Sequence, residues 1–184
     1  MDNQPRGKPP MNDLQQRAAR IQLIIFDIDG VLTDGRLLLG DDGQEYKAFN
    51  SRDGLGIALL RDTGIEIAII TARQSEVVRK RMESLQVRHV YQGCEDKEPA
   101  YRRLLSTLAL QPEQVAYVGD DVIDLPVMTQ VGLAVAVADA HPFVKRHAHW
   151  ITPSTGGHGA GRDVIEQVLA ARGELDAKLR RYLR

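Results

Sequence analysis

Cysteine is almost absent: Cys94 stands alone among 184 residues. That excludes a disulfide within the chain and a thiolate metal cluster, and it fits a reducing cytoplasm. An excess of one charge is also missing. The 24 basic and 25 acidic residues leave a net −1, so no overall field favours nucleic acid or an anionic membrane. No apolar run is long enough to span a bilayer, and "MDNQPRGKPPMNDLQQRAARIQ" lacks the apolar core of a secretory signal. Neither an internal repeat nor a low-complexity block is present. What remains is an ordinary globular composition, 43% hydrophobic and 27% charged, with length for one full core and little more. Residues 1–20, rich at their start in Pro, Asn, Gly and charge, are expected to form a disordered tail ahead of one domain at 21–184.

Four short apolar runs stand out: "LIIFD" (23–27), "IEIAIIT" (65–71), "VAYVGD" (115–120) and "GLAVAVA" (132–138). They are β-branched and nearly continuous, as strands buried on both faces should be. A weaker run, "HVYQG" (89–93), lies between the second and third. Helical patterns separate them. "RDGLGIALLRDTG" puts Leu55, Leu59 and Leu60 on one face and ends at Gly64 as a capping glycine. "SEVVRKRMESLQ" and "EPAYRRLLSTLAL" follow the second and the weak strand. The alternation predicts an α/β fold, a doubly wound Rossmann-like parallel sheet with helices on both faces. Two segments break the rhythm. Residues 36–48 read as a β-hairpin flap around Gly40-Asp41-Asp42-Gly43, and 152–163 as a glycine-rich loop before a last helix faced by Val164, Ile165, Val168 and Leu169.

Carboxylates stand where such a sheet binds ligands, beyond the carboxyl ends of its strands. Strand one delivers Asp27 and Asp29, strand two Thr71, and "GDDVIDLPVM" brings Asp120, Asp121 and Asp124. Lys97 opens a helix at the same edge. Any one of them is readily a turn, a cap or a solvated side chain. Their convergence is harder to explain that way, because adjacent carboxylates repel and are costly to desolvate. A divalent cation between Asp27 and Asp120 would neutralise them, and oxygen-only ligands suit Mg²⁺.

The order "FDIDGVLTDG", "IITAR", Lys97, "YVGDDVIDLPVM" resembles the four motifs of the haloacid dehalogenase superfamily of phosphotransferases, over residues 27–124. Continuing through "VGLAVAVADAHP" to "GGHGAGRDV", the chain is similar to one member family, the 3-deoxy-D-manno-octulosonate (KDO) 8-phosphate phosphatases. The resemblance implies Asp27 as nucleophile forming an aspartyl-phosphate, and Asp29 as acid and then base. Thr71 and Lys97 would stabilise the phosphoryl group. It implies Mg²⁺ held by Asp27, the Asp29 carbonyl and Asp120, with Asp124 in the metal group or orienting Lys97, and Asp121 a weaker ligand. Asn50, Ser51, Arg52, Asp53 and Gly54, with Arg73, Arg81 and Arg162, match substrate contacts. The arginines suit a phosphorylated sugar acid, whose carboxylate fits a guanidinium fork. Arg73 is expected to begin the helix carrying Arg81, so that both share a face, and Arg162 to reach a neighbouring site.

The insertion after Asp29 is only a hairpin and none of domain size follows Thr71, so no cap domain is present. The family implies a homotetramer in which neighbouring hairpins and tails complete the sites, and a place in lipopolysaccharide biosynthesis. The chain departs from the pattern at Ala58, where some members carry arginine, and at His158, where the tail often has arginine. His141, His147, His149 and His158 form no closed zinc set and read as structural, and Cys94 as an inert thiol. Two rivals remain. One is a phosphatase of a nine-carbon sugar-acid 9-phosphate, or a noncatalytic domain of the same type. The other is a phosphoacceptor receiver, which would need its acidic pair after strand one and its phosphorylated aspartate after a later strand.

Overall fold

Residues 12–183 are described by a computed structural model of the chain. In chain order, α1 (Asp13–Ala19) leads into β1 (Leu23–Phe26), and a hairpin of β2 (Leu38–Leu39) and β3 (Glu45–Tyr46) precedes α2 (Ser51–Leu59). Strands and helices then alternate as β4 (Glu66–Ile70), α3 (Glu76–Ser84), β5 (His89–Tyr91), α4 (Glu98–Leu108), β6 (Val115–Gly119) and α5 (Leu125–Met128). The chain closes with β7 (Leu133–Ala136), α6 (Pro142–Lys145), β8 (Trp150–Ile151), α7 (Ala160–Ala171) and α8 (Leu175–Arg180).

Six strands form one sheet in the order β5-β4-β1-β6-β7-β8, every neighbouring pair parallel. The chain builds outward from β1 to β5, crosses back, and builds outward again from β6 to β8. On one side α2 and α1 pack against α7, and elsewhere α4 packs against α5. All four residues of β1 are fully buried, which is why its sequence shows no polar alternation. The winding reverses between β1 and β6, so a ligand crevice opens at their carboxyl ends. Phe26 lies level with Ile69 of β4 and Val118 of β6. Asp27, Thr71 and Asp120 therefore leave the sheet within two residues of a common height.

Several expectations require correction. The tail placed over 1–20 is helical in its second half: Asn12 caps Gln15 N–H at 2.8 Å, Gln15 returns the bond to the Asn12 N–H at 3.1 Å, and Ala18 and Ile21 are fully buried. That reciprocal capping, anchored by two core residues, outweighs a polar composition. Residues 1–11 of that expectation lie outside the described residues. Leu55 is exposed. Leu59 and Leu60 are buried as expected, and the rest of the buried face of α2 runs through Asp53, Gly56 and Ile57 rather than Leu55. The α2 cap is Leu60 rather than Gly64, which follows a further turn. The segment expected as a loop over 152–163 gives way to α7 at Ala160, and Val164, Ile165, Val168 and Leu169 of α7 are fully buried, but α8 comes after it. Among the described residues no helix is long and apolar enough to cross a membrane.

Candidate active site

Asp27 follows β1 directly and stays in the sheet's bonding pattern, its N–H donating to Val118 O at 3.1 Å. One carboxylate oxygen accepts from Ile28 N at 2.7 Å and the other faces Lys97 Nζ at 2.9 Å. Lys97 stands at the head of α4, yet its side chain is completely buried. A buried ammonium costs several kcal/mol unless it is paired. Here Asp124 Oδ1 lies at 2.6 Å and the Tyr117 ring centroid at 5.9 Å. Burial opposes the Lys97 charge, but Asp27 and Asp124 outweigh it and raise the pKa.

Asp124, fully buried, is saturated. Its Oδ1 accepts from Lys97 and from Tyr117 OH at 2.7 Å, and its Oδ2 from the backbone N–H groups of Asp120 and Asp121 at 2.9 and 3.2 Å. It thus fixes both Lys97 and the loop that carries Asp120. No hydrogen bond among the described residues ends on the Asp120 carboxylate. Asp121 turns outward, its carboxylate capping Val122 N at 2.7 Å.

Carboxylate oxygens of Asp27, Asp120 and Asp124 lie within 4.8 Å of one another. With Lys97 the only ammonium among them, two negative charges are uncompensated. The cost shows in their protonation. Burial, then the charges of Asp124 and Asp27, push Asp120 up to about 8, and burial with Asp124 pushes Asp27 to about 6. Oxygen donors of this kind fit a hard divalent cation. Asp27 and Asp120 have carboxylate capacity to offer it; Asp124 does not.

The loop after Asp27 is kept thin. Gly30 adopts φ +93°, and a Cβ there would lie 2.1 Å from Asp120 Oδ2. From the other side the glycine-rich loop braces it. A Cβ on Gly156 would lie 1.8 Å from Gly30 O, and Gly157 N donates to Val31 O at 2.9 Å. Gly156 N also bonds Asp139 Oδ1 at 2.9 Å. This segment is a strut under the loop that carries Asp29 and Gly30.

Asp29 points to the hairpin, where sequence reasoning missed its partner. Lys47 donates to Asp29 Oδ1 and lies 3.2 Å from Glu45 Oε1, its side chain only 1% exposed. Strand alternation is the signal that was available. Glu45 and Lys47 turn inward while Tyr46 between them is exposed.

The other predicted residues divide. Thr71 is buried, and its hydroxyl has no protein partner among the described residues. Arg73 does not begin a helix: α3 starts after Ser75, and Arg73 sits in the preceding loop, 3.2 Å from Glu45 Oε1 and 3.8 Å from Asp29 Oδ2. Arg81 turns instead toward α2, 5.8 Å from the Phe49 ring centroid and close to Gly54, so the two arginines share no face. Asn50 caps α2 through Arg52 N at 2.9 Å and donates to Gly157 O at 3.0 Å. Asp53 is buried and accepts from Arg162 N at 2.8 Å, and the Arg162 guanidinium pairs within α7 with Glu166 at 2.6 Å. Ser51 and Arg52 are exposed at the head of α2. The histidines serve the backbone: His141 Nδ1 accepts from Phe143 N and His149 Nδ1 from Ala134 N. Burial pushes the Cys94 thiol up, away from reactivity. A groove of about 670 Å³ beside Leu60, Ile65 and Val87 contains none of the predicted site residues.

A strand-end aspartate on a buried lysine, with a second unpartnered aspartate across a thin loop, defines a phosphoryl-transfer hydrolase of the haloacid dehalogenase type. The family model for haloacid dehalogenase-like hydrolases matches residues 89–162. Over 168 residues the chain is 52% identical to the 3-deoxy-D-manno-octulosonate 8-phosphate phosphatase of Yersinia pestis, covering 91% of this chain and 90% of that one. The crystal structure of a Yersinia pestis 3-deoxy-D-manno-octulosonate 8-phosphate phosphatase superposes with a TM-score of 0.89 over 90% of this chain and 89% of that chain. The Moraxella catarrhalis phosphatase, crystallised with magnesium ion, phosphate ion and KDO, is 37% identical with a TM-score of 0.91, covering 94% and 99%. The chain belongs to the 3-deoxy-D-manno-octulosonate 8-phosphate phosphatase family.

Proposed function

We propose that the protein hydrolyses KDO 8-phosphate to KDO and inorganic phosphate, with Mg²⁺ as cofactor, as a step of lipopolysaccharide biosynthesis. The observation that carries the reading is the Asp27–Lys97 pair beside an Asp120 carboxylate that no protein donor satisfies. Asp27 attacks phosphorus in line. The Asp27–phosphorus bond forms as the bond to the sugar oxygen breaks, and Asp29 gives that oxygen its proton. Asp29 then takes a proton from water, whose oxygen attacks the aspartyl-phosphate and releases phosphate. Lys97 and the Thr71 hydroxyl stabilise the phosphoryl oxygens. The Asp27 and Asp120 carboxylates and the Asp29 carbonyl would hold Mg²⁺, which would supply charge neutralisation between two anions. Asp124 acts through Lys97 and the 120–121 backbone.

Arg73, close to Asp29, and the exposed Arg52 are the accessible cations for the sugar carboxylate. Arg81 and Arg162 act at one remove, by setting α2 and α7. The assembly is a homotetramer whose adjacent hairpins and tails cover the sites, which exposed Leu38, Leu39 and Tyr46 on the hairpin support. The single cysteine fits work in the cytoplasm. Sedimentation should give a mass of four chains.

A phosphate-release screen over KDO 8-phosphate, nine-carbon sugar-acid 9-phosphates and hexose phosphates, with Mg²⁺ and with chelator, tests the reading. Preference for the eight-carbon acid and loss of turnover with chelator are expected. Preference for a nine-carbon acid would move the substrate but leave the mechanism. Preference for plain hexose phosphates, or equal rates without a divalent cation, would overturn it.

A further inference from the structure

The hairpin carries a buried charge that the reaction scheme does not use. Lys47 follows β3, and its side chain is almost wholly enclosed although the neighbouring hairpin residues Leu39 and Tyr46 are exposed. Its ammonium bonds Asp29 Oδ1 and lies 3.2 Å from Glu45 Oε1. Glu45 also lies 3.2 Å from Arg73 Nη2, so two carboxylates and two cations close a ring around Asp29. Two-residue strands gain little from burying a lysine, and a buried ion pair is weak evidence of stabilisation. Asp29 itself has few constraints. Its backbone leaves the helical region at ψ 113°, and its Oδ2 is buried without a hydrogen-bond partner. Among the described residues, Lys47 therefore makes the one hydrogen bond that fixes the direction of the Asp29 side chain.

We infer that Lys47 is a positioning residue for the proton-transfer step: the hairpin, through Lys47, aims the Asp29 carboxyl at the leaving oxygen. The inference rests on the acid role given to Asp29 above. It separates Lys47 from Lys97, which meets the nucleophile, and it gives the flap a function within its own subunit. Proton transfer is steeply sensitive to placement, since a donor must come within hydrogen-bond reach of the oxygen it serves.

The leaving group distinguishes aim from general support. A sugar alkoxide needs a proton to depart, whereas the nitrophenolate of 4-nitrophenyl phosphate leaves without one. Both esters pass through the same Asp27 aspartyl-phosphate, and kcat/KM reports the steps up to its formation. Lys47→Met keeps the apolar stem and removes the donor. It should lower kcat/KM for KDO 8-phosphate by about 30- to 100-fold, and for 4-nitrophenyl phosphate at least about tenfold less. Lys47→Arg, which retains a donor on a longer stem, should recover part of the loss on the sugar phosphate. Equal losses on both esters, or no loss on either, would overturn the positioning role. If Lys47→Met does not fold, failure of Lys47→Arg to discriminate between the esters does the same. Asp29→Asn separates this from the underlying reading. If it spares the sugar phosphate, the acid role of Asp29 falls and the inference with it. If it shows the steep discrimination and the Lys47 variants do not, only the role of Lys47 falls.

Discussion

Two groups of charges meet at the end of β1, and they are built on opposite principles. Around Asp27, three carboxylates share one ammonium, carried at the end of β1, in the turn after β6 and at the head of α4, and the surplus is negative. Around Asp29, two carboxylates face two cations, and three of the four side chains come from the hairpin and the loop before α3. The first group is held under electrostatic tension that a divalent cation would relieve. The second is already balanced and needs only to be in the right place. A phosphatase requires both: strong charge where the phosphoryl group transfers, and accurate placement where a proton does.

The sharpest way to break the comparison is to remove a member of the first group. Asp27→Asn should reduce turnover by about 10⁴-fold or more and abolish the acid-stable phosphoenzyme trapped by rapid quench, with an unchanged circular dichroism spectrum. Residual turnover near the wild-type rate would show that the nucleophile lies elsewhere. Next in size is the contrast between the two lysines. Lys97→Met leaves Asp27 and Asp124 buried without their counter-ion, and should cost about 3–5 kcal/mol in urea denaturation. Lys47→Met leaves Arg73 beside both Asp29 and Glu45, so its loss should be about 1–2 kcal/mol. Equal losses would mean that the hairpin group is as structurally essential as the central one.

The two groups also differ in how far the sequence disclosed them. Asp27, Thr71 and Asp120 follow strands recognisable as short, mostly apolar runs of four or five residues, and parallel register carries them to one edge without further information. Lys47 meets Asp29 from 18 residues away, across strands of two residues each, too short for a periodicity to be compelling. Asn50 and Asp53 sit in a segment read as substrate-binding, yet their side chains meet Gly157 and the Arg162 backbone 107 and 109 positions later. Those bonds exist because α7 docks on α2, a packing event that no local pattern announces. Arg73 was misplaced for a smaller reason: the helix starts after Ser75, two residues beyond it. Where the functional geometry is a strand ending it was legible, and where it is a docking of distant elements it was not.

Gly156 underlies both groups, because it braces the loop that carries Asp29 and Gly30. A methyl group there would meet Gly30 O at 1.8 Å, with backbone on both sides. Gly156→Ala should therefore displace the loop, costing about 1–3 kcal/mol of stability. Its kcat should fall for sugar and nitrophenyl esters alike, unlike that of Lys47→Met. A stable, fully active alanine variant would show that the strut tolerates movement and does not set the loop.

Asp53 supplies the baseline for the comparison: a carboxylate that is buried with neither a cation of its own nor a share in a metal. Burial, reinforced by the nearby Asp163, raises its pKa from 3.8 to about 6, although the Arg162 N–H at 2.8 Å opposes the shift. Its other oxygen is buried and unbonded. Because the folded protein holds this proton more tightly than the unfolded chain, the contribution of Asp53 to stability is fully present below about 3.8 and is lost as the pH rises through about 6. Asn keeps the accepting oxygen and removes the titration. The stability of Asp53→Asn relative to wild type should therefore rise between pH 4 and pH 7 and level off above, as read from denaturation midpoints at matched ionic strength. A difference that stays flat across this window would show that the Asp53 carboxylate is as well solvated when folded as when unfolded. Burial alone would then contribute less to the strain around Asp27 and Asp120, and the mutual repulsion of their carboxylates correspondingly more.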